Sequence, residues 1–196
     1  MKKILSLLVL SVLMSGVVFS QKIQLVSGNL SKLKNEKFIE VEFTYENLKV
    51  GKMTEEDYIN KRLKEFEEKG EDGNKWLTAW KNDRESRYAP KFIELFNKYS
   101  SKADITIDNS KENLKYKMIV NTSFLEPGYN IGISSKPSLI DLEITFVEIS
   151  KPDKAIAKVN ILKSKGVPHF DAGTRISESY AKAAKKFART IHKYMK

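Results

Sequence analysis

The C-terminal segment, residues 176–196, constrains the fold more than any other part of the chain, because it has the pattern of a strongly amphipathic helix. At 100° per residue, its apolar side chains fall within an arc about 120° wide; they are Ile176, Tyr180, Ala183, Ala184, Phe187, Ile191 and Tyr194. The basic side chains lie on the opposite side, at Lys182, Lys185, Lys186, Arg189, Lys193 and Lys196. Thr174 or Ser177 can cap this helix. Its apolar arc has to pack on a second hydrophobic layer, which the rest of the chain must provide.

Strand patterns provide that layer. Residues 38–45 and 116–124 alternate apolar and polar side chains, as a half-buried strand does. Residues 140–146 and 155–162 alternate in the same way, and Pro152-Asp153 between them is favourable turn chemistry, so we expect an antiparallel hairpin there. Pro127-Gly128 predicts a further turn that needs a positive φ at its glycine.

The middle third of the chain has helical patterns. Thr54 followed by acidic residues predicts the start of a helix that ends near Gly70, and Pro90 suits the first turn of a later one. The charged residues 81–87 between the helices are expected to be solvated. Trp76 and Trp80 lie four apart and would share a helical face. They could form a stacking platform for a sugar ring, but we favour burial against the sheet.

Together these patterns predict an α+β fold, a single domain over residues 21–196 in which helices pack on one face of an antiparallel β-sheet. The chain contains no cysteine, which excludes a disulfide scaffold, thiolate chemistry and a cysteine-ligated metal. Its hydrophobic fraction of 41% excludes a disordered chain.

Residues 1–20 have the pattern of a secretory signal peptide. Lys2 and Lys3 precede an apolar run, and Val18-Phe19-Ser20 supplies a cleavage site before Gln21. A membrane anchor is the alternative, but the run is shorter than the roughly twenty apolar residues that a span requires. We therefore expect export to the periplasm or the cell exterior, with no transmembrane segment in the mature form. Removal of Lys2 and Lys3 lowers the formal charge from +10 to +8.

The loop before the last helix, residues 167–175, carries the side chains best suited to catalysis. His169 and Asp171 could orient each other, and Arg175 could bind a carboxylate or phosphate near the helix N-terminus. The alternative is structural: Asp171 closes the turn and Arg175 pairs with a strand carboxylate. We favour the structural interpretation, because most loops carry no function. The spacing supplies no third ligand for a metal, and no cofactor is expected.

The basic side of the last helix is the strongest electrostatic feature. Its candidate binding residues are Lys182, Lys185, Lys186, Arg189 and Lys193, in addition to His169, Asp171 and Arg175 of the loop. This face would attract an envelope protein or an anionic lipid or glycan surface. The alternative is a solvated helix face that keeps the protein in solution. Nucleic acid is not expected as a partner, because the sequence has no nucleic-acid-binding motif.

The order of these segments resembles that of small exported proteins of Bacteroidota. In them too a signal peptide, an early strand, a helical middle and a strand meander lead to a loop and an Ala/Lys-rich helix, which here opens at Gly173-Thr174-Arg175-Ile176. The end of the chain, from about Tyr116, is also distantly similar in outline to periplasmic accessory domains of curli secretion and of penicillin-binding-protein activation. The resemblance implies an α+β sandwich without an active site that works by contact. The chain departs from those domains in lacking the lipid-bearing cysteine.

The leading functional prediction is therefore a non-enzymatic exported protein that binds an envelope partner or an anionic surface. One alternative is a small hydrolase or lyase that uses His169, Asp171 and Arg175 as general acid/base and anion clamp. Another is a carrier that holds an apolar ligand between sheet and helices. An enzyme predicts a pocket beside His169, a carrier a large apolar cavity, and a contact module an exposed apolar patch or a free sheet edge.

Overall fold

The computed structural model describes residues 21–196, so the predicted signal peptide, residues 1–20, lies outside the described residues. The strands in this range are β1 Lys22–Gly28, β2 Phe38–Thr44, β3 Lys49–Val50, β4 Met53–Thr54, β5 Thr106–Ile107, β6 Tyr116–Glu126, β7 Tyr129–Asn130, β8 Ser135–Lys136, β9 Leu139–Glu148 and β10 Lys151–Lys165. The α-helices are α1 Glu55–Glu67, α2 Asn74–Asp83, α3 Ala89–Tyr99 and α4 Ala172–Thr190. A π-helical turn, Arg84–Tyr88, joins α2 to α3, and a 3-10 turn, Ile191–Tyr194, follows α4.

The main sheet has the strand order β1-β10-β9-β6-β2-β5. β1, β10, β9 and β6 pair antiparallel, whereas β2 pairs in parallel with both β6 and β5. The predicted α+β fold is confirmed, but its sheet is mixed rather than antiparallel throughout. Parallel neighbours need a long crossover connection, and α1, α2 and α3 lie between β2 and β6 and provide it. Alternation along one strand does not reveal the direction of its neighbour, so the sequence pattern could not show this.

Helix α4 packs its apolar arc into the core, as predicted. Phe187 is fully buried, and its ring centroid lies 5.9 Å from that of Phe96 in α3 and 6.3 Å from that of Phe146 in β9. The helix begins earlier than predicted, because Asp171 rather than Thr174 or Ser177 is its N-cap. None of the helices within residues 21–196 combines the length and the apolar character that a membrane crossing requires.

Helices α1 and α2 pack on each other through aromatic side chains. Trp76 and Trp80 lie on one face of α2 with ring centroids 5.7 Å apart, and both contact Tyr58 of α1. Trp80 is buried and donates from Nε1 to Glu55 Oε1 at 2.7 Å, while Trp76 is half-buried. The prediction of burial is confirmed for Trp80. Both tryptophan rings pack on helix α1, whereas the predicted contact was with the sheet.

The charged residues 81–87 are mostly exposed, as predicted, but Asp83 and Arg84 are half-buried. The guanidinium carbon of Arg84 lies 4.0 Å from the ring centroid of Tyr45. Arg84 also binds the carboxylate of Glu55, which Lys81 contacts at 3.0 Å. These residues therefore connect the α2–α3 junction to α1 and to the end of β2, because each cation meets a partner that is distant in sequence.

Strands β9 and β10 form the predicted antiparallel hairpin. Its turn lies at residues 149–150 rather than at Pro152-Asp153, because Glu148 pairs directly with Lys151. Pro152 and Asp153 instead lie in an irregular stretch of the pairing between Lys151 and Ala155. A bulge tolerates proline, whose missing N–H would break the ladder elsewhere in a strand.

Candidate functional site

Arg175 lies in the first turn of α4 and is buried, with only 5% of its surface exposed. Its guanidinium donates to carbonyl oxygens of two separate segments. Nε and Nη2 bind Pro127 O and Gly128 O at 3.1 and 3.3 Å, and Nη1 binds His169 O and Phe170 O at 2.5 and 2.9 Å. Arg175 therefore connects the turn after β6 to the loop before α4. The sequence predicted that Arg175 pairs with a strand carboxylate, but its guanidinium binds backbone carbonyl oxygens instead.

Asp171 closes the turn at the start of α4. Its Oδ1 accepts from Thr174 N at 2.7 Å and from Thr174 Oγ1 at 2.8 Å, and it pairs with Arg87. Partial burial alone would raise the pKa of Asp171, but these hydrogen bonds and the Arg87 charge outweigh burial and lower it. His169 is exposed, and its Nδ1 accepts from the backbone N–H of Asp171 at 3.1 Å.

The three loop residues thus come together in one turn, but most of their polar groups bind the chain itself. A clamp for an anion needs free N–H groups, and four of the five N–H groups of Arg175 donate to carbonyl oxygens. The Asp171 carboxylate serves as helix cap and ion-pair partner. Within residues 21–196, no group of three His, Asp or Glu side chains is placed to hold a metal ion. Ligand binding by this loop stays a prediction.

The basic side of α4 meets the end of α3 around one aromatic ring. The ring centroid of Tyr99 lies 4.9 Å from Lys185 Nζ, 4.5 Å from the guanidinium carbon of Arg189 and 5.9 Å from Lys98 Nζ. Lys102 lines the same surface cleft. We call Tyr99 and these four cations the Tyr99 cluster. Each contact with the ring face is a cation–π interaction, which positions the cations without neutralising them.

The cations of the Tyr99 cluster are not held in salt bridges within residues 21–196. In the part of the chain that the structure describes, none of the four forms an ion pair with a carboxylate. Other cations of the chain differ, as in the pair of Lys117 with Glu40 at 2.9 Å. The Tyr99 cluster is therefore a concentration of positive charge at the surface that no direct ion pair among the described residues neutralises.

The remaining predicted cations of α4 have other neighbours. Lys182 Nζ donates to Gly166 O at 3.2 Å, and Lys186 Nζ donates to Gln21 O, directly before β1. Lys193 lies exposed in the turn after α4. The structure thus brings Lys185 and Arg189 together with two lysines outside the predicted set, Lys98 and Lys102. Tyr99 recurs at helical spacing with Phe92 and Phe96, which is typical of a buried position, and no local pattern shows that α4 covers its ring with cations.

A second surface feature, a group of exposed apolar side chains, was also not predicted from the sequence. Large apolar side chains are exposed on two loops at the N-terminal end of α4: Tyr129 (45%), Ile131 (66%), Ile133 (97%), Val167 (38%) and Phe170 (73%). We call these five residues the apolar tip. The sequence does contain a trace of it, because apolar residues recur between Pro127-Gly128 and Pro137, where a turn would otherwise be polar.

No protein-family model matches the chain, and no curated protein matches it. Among solved structures, its fold is similar to the PelC dodecamer from Paraburkholderia phytofirmans, at 10% sequence identity and a TM-score of 0.43, over 85% of this chain and 96% of that chain. A substituted form of the same PelC in another crystal form matches at 10% identity and a TM-score of 0.41, over 85% of this chain and 95% of that chain. Both are similarities of fold outline at low sequence identity.

Proposed function

We propose that this chain is a non-enzymatic exported protein that binds an anionic surface of the cell envelope through the Tyr99 cluster. The single observation that carries the proposal is the convergence of three cations on one half-buried ring, with Lys102 in the same cleft and with no ion pair to a carboxylate among the described residues. Like charges held together repel one another, and a bound anion removes that repulsion. Export rests on the signal-peptide pattern of residues 1–20.

The chemistry of the cluster favours phosphate or carboxylate groups. Arg189 offers a planar fork that binds either group in a bidentate way, and the lysine ammonium groups act as point charges. Three of the cations come from α3 and α4 and the fourth, Lys102, from the turn after α3. Lys98, Lys102 and Arg189 line an open cleft beside the Tyr99 ring. An extended surface with repeated anionic groups can contact several of them at once, which a single small anion cannot do. We therefore infer a polyanionic ligand, either a glycan or a lipid headgroup layer.

The test compares two charge-reversed proteins of equal net charge. The mature chain is passed over immobilised dextran sulfate, a soluble polyanion, and over neutral dextran. Lys185→Glu with Arg189→Glu removes two members of the cluster and should weaken binding to dextran sulfate about tenfold or more. Lys69→Glu with Lys75→Glu changes two exposed lysines at the α1–α2 connection and should leave binding within about twofold.

Equal losses in the two double variants would show that binding follows net charge alone, and the proposal would be wrong. A parallel measurement on vesicles with and without phosphatidylglycerol separates the two sources of anionic groups. A glycan-selective cluster gives a larger loss on dextran sulfate, and a headgroup-selective cluster gives a larger loss on the anionic vesicles. Absence of any binding to both polyanions by the unaltered protein would also refute the proposal.

A further inference from the structure

We propose that the apolar tip is a membrane-insertion site that enters the interfacial region of a lipid bilayer. Its most exposed member, Ile133, keeps 97% of its surface accessible, and Ile131 and Phe170 keep 66% and 73%. Exposed apolar residues grouped in one place indicate an interaction site. This inference concerns a different surface from the Tyr99 cluster and does not depend on the function proposed above.

The hairpin that carries the isoleucines is internally well bonded. Ile131 N donates to Ser134 O at 3.0 Å, and Gly132 N donates to Asn130 Oδ1 at 3.0 Å. Tyr129 and Ser134 join their hydroxyl groups at 3.1 Å. Gly132 has a φ of +82°, which only glycine adopts without strain. The N–H groups of Ile131, Gly132 and Ile133 are thus bonded within the hairpin while its isoleucine side chains are exposed, which lowers the cost of moving the hairpin into a less polar medium.

Arg175 holds the two loops of the tip together. It binds Pro127 O and Gly128 O, directly before β7, and also His169 O and Phe170 O in the second loop. Gly166 N also donates to Ser138 O at 2.9 Å, so the two loops are joined on the far side of the hairpin as well. The apolar side chains are thus presented from a common, ordered base, which reduces the entropy lost when they enter another phase.

The amino-acid composition around the apolar tip suits contact with a lipid bilayer. Residues 127–136 contain no acidic residue, and Lys136 and Lys165 are exposed at the bases of the two loops. Lys136 also pairs with Glu126 at 3.0 Å. The apolar tip combines aliphatic and aromatic side chains with lysines at its base, and membrane-interface segments have this combination because apolar groups enter the bilayer while lysines reach the phosphates. A protein partner would need a matching pocket for the protruding hairpin, whereas fluid lipid needs none.

The first experiment measures flotation of the mature chain with vesicles of phosphatidylcholine alone, because anionic lipid would also attract the Tyr99 cluster. Ile131→Ser with Ile133→Ser should lower the bound fraction about tenfold, because two aliphatic side chains no longer leave water. Val26→Ser is the matched control, since Val26 is 53% exposed on β1, away from the tip, and it should bind as the unaltered protein does. Unchanged binding to dextran sulfate shows that the tip variant is folded. Equal flotation of the tip variant and the unaltered protein would overturn the proposal.

The second experiment uses the absence of cysteine from the chain. Ile133→Cys and Val26→Cys each provide one labelling position for an environment-sensitive fluorophore. On addition of vesicles, emission from position 133 should shift to the blue and be quenched by nitroxide-labelled lipid, while emission from position 26 should not change. An unchanged emission at position 133 would overturn the proposal. So would a blue shift that grows with protein concentration without lipid, because it would show that a second copy of the chain covers the tip.

Discussion

At the scale of single residues, three tyrosines in the interior make the stability of the fold depend on pH in the alkaline range. Burial raises the pKa of Tyr45 to about 12, and it also raises the pKa values of Tyr88 and Tyr180 above the usual range. Tyr180 is fully buried and shares a hydrogen bond of 2.6 Å with Thr122, and its ring stacks on Tyr88 with centroids 5.1 Å apart. These phenols pack where α4 meets the sheet, so their ionisation opposes folding.

We predict that the protein loses stability in alkali through these groups. The unfolded phenol ionises near pH 10, whereas the folded one keeps its proton to about pH 12 in Tyr45. The stabilisation that the folded protein gains from keeping these phenols protonated is therefore fully present below pH 10 and is lost as pH rises toward 12. The free energy of unfolding should fall by up to about 1.4 kcal/mol per pH unit for each tyrosine. Urea unfolding at intervals from pH 8 to 11.5 measures this slope. Tyr45→Phe should flatten it, and the same slope in both proteins would contradict the assignment.

At the scale of secondary-structure elements, Arg175 connects the start of α4 to the end of β6. Replacing it by methionine keeps much of the side-chain volume but leaves four carbonyl groups without their donor. We expect the free energy of unfolding to fall by about 2–4 kcal/mol, because each buried group left unsatisfied costs about 1–3 kcal/mol and water will reach some of them. Urea unfolding checks this value. Amide hydrogen exchange should also increase in residues 127–130 and 166–171.

The matched control for that variant is Arg189→Met on the same helix. Arg189 is exposed and its guanidinium lies over the ring of Tyr99, so its loss should cost less than about 1 kcal/mol. Similar losses in the two variants would show that Arg175 does not have the anchoring role assigned to it. Arg175→Lys distinguishes charge from geometry, because a single ammonium cannot reach both loops with the planar fork of a guanidinium.

The elements that the sequence predicted well are those whose pattern is local. The burial of Phe187 in α4 follows from spacing alone, and so does the antiparallel pairing of β9 with β10. The parallel pairing of β2 with β6 depends on the path of the intervening helices, which periodicity does not encode. The same holds for the candidate sites, because Tyr99 meets Lys185 and Arg189 only after α3 and α4 have packed together.

At the scale of the whole molecule, the two proposed surfaces lie toward opposite ends of α4. Arg175, beneath the apolar tip, is in the first turn of the helix, and Arg189 of the Tyr99 cluster is in its last turn. Their separation of 14 positions corresponds to ~21 Å along the helix axis. A bilayer that takes up the tip would therefore leave the Tyr99 cluster accessible, so that the protein would hold a polyanion at a membrane surface.

The final prediction is that the protein bridges a lipid surface and a polyanion. Fluorescent dextran sulfate should float with vesicles of pure phosphatidylcholine only when the mature chain is present. Lys185→Glu with Arg189→Glu should abolish the flotation of dextran sulfate, because this variant no longer binds the polyanion. Ile131→Ser with Ile133→Ser should also abolish it, because this variant no longer binds the vesicle. Lys69→Glu with Lys75→Glu should leave the flotation of dextran sulfate unchanged. Raising salt from about 0.05 to 0.5 M should release dextran sulfate and leave the protein on the vesicles, because screening weakens exposed charges and not apolar burial. If dextran sulfate instead displaced the protein from the vesicles, the two surfaces would overlap, and a bridge between them would be impossible.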